Sequence, residues 1–200
     1  MRKNLSIAML ILAGFAFVIT QLQCSNQNKE NKKMSHDEQV SYGKYLVNVG
    51  GCNDCHSPKI MTAQGPVPDS AKLLSGHPAG EALAPVDTTI TNSKWIFASM
   101  DLTAWAGPWG ISFAANLTPD GQTGIGAWDE NVFLKALKEG KHMGSGRPIL
   151  PPMPWQSIGQ MKDEDLKAVF AYLKSLKPID NKVPDPIPPN MVAQATKAGK

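Results

Sequence analysis

The sequence Cys52-Asn53-Asp54-Cys55-His56 constrains this chain more than any other feature. Two thiols three positions apart, with an imidazole directly after them, form the pattern of a covalent haem-attachment site. In such a site each cysteine sulfur adds to one vinyl group of the porphyrin, and the histidine binds the iron as its proximal ligand. The motif therefore predicts one covalent haem c, with Cys52 and Cys55 as its anchors and His56 as an iron ligand.

Other interpretations of the motif are a zinc site, a redox-active dithiol and a chance pair of cysteines. A structural zinc site needs four ligands, usually from two separated pairs. The sequence has no second Cys-x-x-Cys or Cys-x-x-His pair to complete one. A thioredoxin-like dithiol belongs to a βαβ unit, whereas this motif follows a helical pattern and precedes Ser57-Pro58. Haem attachment is the interpretation that the sequence favours.

The N-terminal segment has the pattern of an export signal. Arg2 and Lys3 precede an apolar run from Leu5 to Thr20, which is long enough for a signal peptide and short for a membrane-spanning helix. We predict a signal peptide over residues 1–23. An uncleaved membrane anchor is the alternative, because an extended or tilted segment could still cross a thin bilayer.

Cys24 is left over when the two cysteines of the haem motif are assigned, and an odd cysteine in an exported protein needs an explanation. The segment from Thr20 to Cys24 resembles the lipobox of bacterial lipoproteins, which implies acylation at Cys24 and a membrane contact through that lipid. The alternatives are a thiol removed by ordinary cleavage or left free. Residues 24–35 are polar and charged and predict a flexible tether. The expected location is periplasmic, or membrane-tethered on the extracytoplasmic side.

The charge of the chain gives no support for nucleic acid as a partner. The formal net charge of +3 includes Arg2 and Lys3, and no basic patch or alternation of aromatic and basic residues follows them. The chain that remains after the signal peptide and the tether, about 165 residues, is long enough for one domain. We assign that domain to residues 36–178 and a Pro-rich extended tail to residues 179–200.

Three helices are predicted from capping signals and apolar periodicity. The first spans Ser35 to Val49, begins with a Ser35–Glu38 capping box and ends at Gly50-Gly51. The second spans Asp129 to Glu139, and the third Asp163 to Leu176. Residues 57–115 between these helices are rich in glycine and proline and show no sustained period. The prediction is an all-α protein with a long ordered loop insertion that wraps the cofactor.

The iron needs a second axial ligand if the protein only carries electrons. Met153 lies in the sequence Pro151-Pro152-Met153-Pro154, where the prolines fix the backbone and present the thioether from a stiff loop. We predict Met153 as this ligand. The other methionines considered are Met61, Met100, Met143, Met161 and Met191. Ligation by His77 or His142 is a further alternative, since neutral imidazole binds iron well.

These motifs resemble the class I c-type cytochromes in their order: an N-terminal helix, the haem motif, a methionine loop and a C-terminal helix. Residues Asn116 to Asp120, Thr123 to Trp128 and Pro152 to Trp155 are similar to the cytochrome c subunits that accompany bacterial alcohol and aldehyde dehydrogenases. The resemblance implies the cytochrome c fold, with crossed N- and C-terminal helices around one haem. It also implies that His56 and Met153 are the axial ligands. Arg147, close to the methionine loop, could pair with a haem propionate.

The predicted function is that of a single-electron carrier, an electron-transfer protein rather than an enzyme. Its partners would be a redox donor and a redox acceptor. One alternative is the electron-accepting cytochrome subunit of an exported dehydrogenase complex. Another is a haem protein that binds or senses a small gas, which would apply if Met153 does not bind the iron.

Overall fold

The computed structural model of the chain describes residues 34–83 and 85–195. The predicted signal peptide, Cys24 and nearly all of the predicted tether therefore lie outside the described residues. Ser35 and the residues that follow it form one compact unit. Across the two described ranges, no helix has both the length and the apolar character needed to cross a bilayer.

Within the described residues, three long helices form close to the predicted positions, and three short helices accompany them. In chain order the helices are α1 His36–Val49, α2 Cys52–His56, α3 Glu130–Glu139, α4 Trp155–Ile158, α5 Asp163–Ser175 and α6 Val192–Ala195. The capping box predicted at the start of α1 is present, with the Ser35 amide donating to Glu38 Oε2 at 2.7 Å and the Glu38 amide donating to Ser35 Oγ at 3.3 Å. Asp129 caps α3 by accepting from the Val132 amide at 2.8 Å. Local signals were sufficient to predict these helices.

The first and last long helices, α1 and α5, pack directly against each other at a glycine. A β-carbon placed on Gly43 would lie 1.9 Å from the Ala168 carbonyl oxygen, so the two backbones approach too closely for any side chain. Beside this contact the Tyr42 hydroxyl donates to Asp165 Oδ1 at 3.0 Å. Helices α1, α3 and α5 share one apolar cluster, the main core, formed by Val47, Leu74, Ile125, Phe133, Leu134, Leu137, Leu166, Val169, Phe170 and Leu173.

We expect Gly43→Ala to lower the free energy of unfolding by at least about 2 kcal/mol, because overpacking forces two helices apart. For a domain of this size that corresponds to a fall of at least roughly 4 °C in Tm. Gly121→Ala is the matched control, since a β-carbon on Gly121 meets nothing within 4 Å. Thermal unfolding of the haem-loaded protein measures the Tm of both variants. Equal midpoints for the two variants would show that the helices tolerate separation.

The all-α prediction is incomplete, because residues 57–115 contain five short strands. Strands β1 Lys59–Thr62 and β2 Gly65–Pro68 form one antiparallel hairpin. Strands β3 Phe97–Ala98, β4 Ala104–Gly107 and β5 Gly110–Phe113 form an antiparallel sheet in that order. The insertion is ordered, as predicted, but its order comes from backbone pairing between strands of two to four residues.

The C-terminal tail packs onto the three-stranded sheet. Ile187 exchanges two backbone hydrogen bonds with Ile111, at 2.8 and 2.9 Å. Gly110 permits this approach, because a β-carbon there would lie 2.0 Å from the Ile187 carbonyl oxygen. Beyond Pro188 the chain forms a 3-10 turn over Pro189–Met191 and then α6. Val192 of α6 is buried in a second small apolar cluster with Ile90, Ala106 and Ile111.

Candidate haem site

The haem motif forms a helix of its own, α2, directly after α1. Gly51 precedes it in the left-handed conformation, with φ of 65°, which a glycine adopts without strain. Cys52 and Cys55 are half-buried free thiols one helical turn apart. Burial raises the pKa of both thiols, and Asp54 adds to the increase. Both sulfurs are therefore protonated at neutral pH and project from one helix face.

His56, the last residue of α2, is fixed by a carbonyl from the far side of the insertion. Its side chain is 8% exposed, and its Nδ1 lies 2.8 Å from the Ala115 carbonyl oxygen. Burial lowers the pKa of His56, so the ring is neutral at pH 7. A carbonyl oxygen accepts only, and Nδ1 must therefore carry the proton. The lone pair is left on Nε2, which is the atom that a metal-binding histidine uses.

Residues 74–77 hold Ala115 in place by lying between it and α2. The Gly76 amide donates to the His56 carbonyl at 2.8 Å, and the His77 amide donates to the Ala114 carbonyl at 2.9 Å. Gly76 has φ of 80°, and a β-carbon on it would lie 2.6 Å from the Ala115 carbonyl carbon. A glycine is needed there because the two backbone segments nearly touch.

Asn181 connects the C-terminal tail to two other segments, residues 75–79 and the segment around Thr123. Its Nδ2 donates to the Ser75 and His77 carbonyls at 2.7 and 2.9 Å, and its Oδ1 accepts from the Ala79 amide at 2.8 Å. Its own amide donates to Thr123 Oγ1 at 3.0 Å. The tail is thus bonded both to the segment beside His56 and to the Thr123 segment. Sequence reasoning missed this residue, which lies in a stretch with no apolar period.

Lys59 is a second residue that the sequence did not indicate. Its ammonium group lies within hydrogen-bond distance of four carbonyls: those of Asn53, Asp54 and Ser57 at 3.2, 2.9 and 2.5 Å, and that of Asp101 at 3.2 Å. These carbonyls belong to the end of α2 and to the loop before β4. A cation at a helix C-terminus satisfies carbonyls that have no partner within the helix.

Replacing Lys59 by methionine should keep the apolar part of the side chain and remove this cap. We expect the free energy of unfolding to fall by about 1–2 kcal/mol, because partly buried carbonyls lose a charged hydrogen-bond donor. This corresponds to a fall of roughly 2–8 °C in Tm. Lys44→Met, on the exposed face of α1, serves as the control with the same chemical change. A midpoint for Lys59→Met as high as that of the control would contradict the capping role.

The exposure of the methionines separates the candidates for an axial ligand. Met61, Met100, Met143 and Met191 are 65%, 77%, 51% and 48% exposed. Met153 is half-buried and packs against the main core, as does Met161. The loop that carries Met153 is joined to β5, because Ser112 Oγ donates to the Pro151 carbonyl at 2.6 Å. Cys52 also packs against the main core, so this cluster links α2 to the methionine loop.

The two candidate histidines lie in different surroundings. His77 is buried in the insertion, with Nδ1 2.8 Å from Thr103 Oγ1 and its ring against Phe113. His142 is half-buried and meets Trp128 edge-to-face, with ring centroids 5.3 Å apart. Burial lowers the pKa of both rings, and Arg147 lowers that of His142 further.

A cavity of about 460 Å³ lies along the segment that contains Ala115, and the residues that line it do not include Cys52, Cys55, His56 or Met153. Ala115, whose carbonyl binds His56, is part of its wall, and so are Leu117, Ile125 and Trp128, which contact or belong to the main core. The remaining wall is partly polar and includes Gln122, Thr123, His142, Arg147, Lys182 and Asp185. The volume is in the range of ligand sites. Arg147 and Lys182 give the wall two cations, of which the sequence had indicated Arg147.

These residues fit a haem. The thiols of α2 are free, and the proton on Nδ1 of His56 leaves Nε2 as a metal ligand. The cavity whose wall includes Ala115 combines apolar side chains with cations suited to carboxylates. One-electron chemistry at such a centre needs a fixed ligand set and an apolar surrounding. The main core supplies apolar side chains, and both Cys52 of α2 and Met153, from a loop far from α2 in sequence, pack against it.

Comparisons with known proteins agree with this site. The family model described as Cytochrome c matches residues 40–177. The chain is 34% identical over 147 residues to the fructose dehydrogenase cytochrome subunit of Gluconobacter japonicus, which covers 73% of this chain and 23% of that protein. It is 30% identical over 138 residues to the gluconate 2-dehydrogenase cytochrome c subunit of Pantoea cypripedii. That match covers 69% of this chain and 23% of the relative.

A shorter match is to the cytochrome c subunit of the quinone-dependent alcohol dehydrogenase of Gluconobacter oxydans, with 35% identity over 81 residues. It covers 39% of this chain and 17% of that protein. The chain thus spans about a quarter or less of the length of these curated relatives. The Cytochrome c match covers more than half of the chain and includes the motif helix, the methionine loop and the part of the cavity wall that precedes residue 178. The chain is a c-type cytochrome, a haem electron-transfer protein that belongs to the cytochrome c family and is similar to the cytochrome subunits of bacterial dehydrogenases.

Proposed function

We propose that the chain carries single electrons on one haem c, attached through Cys52 and Cys55 and ligated by His56 and Met153. The observation that carries the proposal is the bond from His56 Nδ1 to the Ala115 carbonyl, 2.8 Å long, which leaves Nε2 unprotonated. The packing of both Cys52 and Met153 against the main core supports a site between α2 and the methionine loop.

Each residue has a defined task in this proposal. When bound, the haem supplies an iron that alternates between the ferrous and ferric states. The Ala115 carbonyl orients the His56 ring and increases its basicity. Met153 offers a thioether, which favours the ferrous state and raises the reduction potential. The apolar side chains of the main core exclude water, and Arg147 and Lys182 are placed to receive carboxylates.

The finer features of organisation belong to the same proposal. We assign residues 36–178 to the cytochrome domain, with α1 and α5 crossing at Gly43, and residues 179–200 to the tail. The segment before the cytochrome domain comprises a signal peptide over residues 1–23 and a polar tether over residues 24–35. Acylation at Cys24 would hold the exported domain at a membrane, on the periplasmic or extracytoplasmic side.

A second candidate function is that of the electron-accepting subunit of an exported dehydrogenase. The names of the relatives favour it, since these include cytochrome subunits of fructose and gluconate dehydrogenases. Co-purification of a catalytic subunit with the tagged chain, together with reduction of its haem by that subunit's substrate, would support this function. Equal reduction by unrelated donors would favour an independent carrier.

The haem content and the redox behaviour test the proposal directly. We expect one haem per chain by the pyridine haemochrome assay, and a reversible titration that follows a single one-electron curve. The ferrous protein should not bind carbon monoxide at neutral pH, because Met153 would hold the iron together with His56 and leave it no open site. A chain that binds carbon monoxide without denaturation would instead be an open haem site of the gas-binding type.

A further inference from the structure

Asn116 directly follows Ala115, the residue whose carbonyl binds His56. Its side chain is buried, with 4% of the residue exposed. The Nδ2 atom donates to the Ile179 carbonyl at 2.8 Å, and the Asn181 carbonyl oxygen lies 3.4 Å from it. Both carbonyls belong to the C-terminal tail, 63 and 65 positions further along the chain. The buried amide of Asn116 therefore joins the segment that holds His56 to the backbone of the tail.

Thr118 makes the second half of this contact. Its amide donates to Asn116 Oδ1 at 3.0 Å, and its hydroxyl oxygen lies 2.7 Å from the same atom. The Ile179 amide donates to Thr118 Oγ1 at 3.1 Å. The orientation of the Asn116 amide follows from these bonds, because only Oδ1 can accept from an N–H and only Nδ2 can donate to a carbonyl. Ile179 is thus held through both its amide and its carbonyl.

The tail reaches the other side of Ala115 through Asn181. The side chain of Asn181 donates to the His77 carbonyl at 2.9 Å. The His77 amide donates in turn to the Ala114 carbonyl at 2.9 Å. Both chain neighbours of Ala115, Ala114 and Asn116, are therefore connected to the tail by hydrogen bonds, and the position of the Ala115 carbonyl depends on them.

We propose that Asn116 is a positioning residue for His56: bound to the tail, it holds the Ala115 carbonyl where it accepts from Nδ1, and it thereby lowers the reduction potential of the haem. This inference rests on the proposed ligation of the haem by His56. A carbonyl that accepts from Nδ1 increases the basicity of the imidazole. A more basic ligand stabilises ferric iron, which carries the greater positive charge. The tail thus acts on the potential in the direction opposite to Met153.

The sign of the change in potential separates this positioning role from a structural one. When the bond from Nδ1 is lost, the imidazole becomes a weaker donor to the iron and the potential rises. A loosened fold instead admits water to the haem, which favours the ferric state and lowers the potential. Loss of the thioether of Met153 lowers the potential as well.

Spectroelectrochemical titration of the haem-loaded variant Asn116→Leu tests the proposal. Leucine is similar in size to asparagine and can neither donate nor accept a hydrogen bond. We expect the potential to rise above that of the parent, with the sulfur-to-iron charge-transfer band retained. Asn131→Leu, the same change at an exposed position near the start of α3, should keep the parent potential. Thr118→Val removes a single hydroxyl, should shift the potential in the same direction, and replaces Asn116→Leu if that variant does not fold.

The Nδ1 proton of His56 provides a second measurement. Its exchange with solvent can be followed by NMR in the ferrous protein. We expect exchange at least about tenfold faster in Asn116→Leu than in Asn131→Leu, because buried hydrogen bonds that oppose local opening are lost.

A potential for Asn116→Leu at or below that of Asn131→Leu would overturn the proposal, and so would equal exchange rates of the Nδ1 proton in the two variants. Failure of the proposed function has a different signature, because it is seen in the parent. A parent without covalent haem, or without the charge-transfer band, would contradict the His56 and Met153 ligation itself. A difference between the two variants tests only the role of Asn116.

Discussion

Replacing Met153 by alanine should remove the sulfur-to-iron charge-transfer band from the absorption spectrum of the ferric protein. The reduction potential should fall by a sizeable part of the roughly 0.8 V range that axial ligands span, because a thioether favours the ferrous state and water does not. The ferrous variant should also bind carbon monoxide at neutral pH. A spectroelectrochemical titration measures the band and the potential in one experiment.

Met161→Ala is the matched control for this experiment. Met161 is half-buried and packs against the same main core as Met153, so both variants lose a similar apolar contact. The control should keep the charge-transfer band and the parent potential. A band that survives in Met153→Ala and disappears in Met161→Ala would move the ligand to Met161. Survival in both would point to another methionine, whereas a parent protein without the band would point to a ligand that has no sulfur, with His142 in the cavity wall as the next candidate.

The double variant Cys52→Ala, Cys55→Ala should lose all covalently attached haem. Thioether bonds resist extraction, whereas haem held only by His56 and Met153 leaves the protein in acidified acetone. After denaturing electrophoresis we expect the peroxidase stain for haem to be absent from the variant band. The loss should be close to complete, because both anchors lie on α2 and the described residues contain no third thiol.

The remaining cysteine gives the control for the double variant. Cys24→Ala should keep the full haem stain, since Cys24 is proposed to hold a lipid and not the haem. Each single variant should keep one thioether, and the α band of its pyridine haemochrome should move to longer wavelength because one vinyl group stays unsaturated. Covalent haem in the double variant would mean that the attachment chemistry uses another residue.

The helices were predictable because their signals are local. The start of α1 depends on Ser35 and Glu38, three residues apart, and the end of α3 on Gly140, which adopts φ of 66°. The strands of the insertion were not predictable in this way. Strands β3 to β5 contain two to four residues each, which is too short for a period of two to emerge. They pair with one another, and Ile111 of β5 also bridges to Ile187 of the tail, 76 positions further along the chain.

The same distinction applies to the candidate site. Cys52, Cys55 and His56 stand out in the sequence because they are contiguous, and Met153 stands out because prolines surround it, and their roles as haem anchors and ligands stay predictions. The groups that orient and support them carry no such signal: Ala115 is 59 positions from His56 and contributes a backbone carbonyl, which no side-chain pattern can indicate. Asn181 bonds to residues more than 100 positions away. Lys59 acts through four carbonyls and resembles any surface lysine in the sequence.

The bonds of Asn181 make the tail part of the cavity wall. Its side chain joins the tail to the Ser75 and His77 carbonyls, and the next three residues, Lys182, Val183 and Pro184, line the cavity. A chain that ended before residue 181 would therefore lose one side of this wall while it kept Cys52, Cys55 and His56.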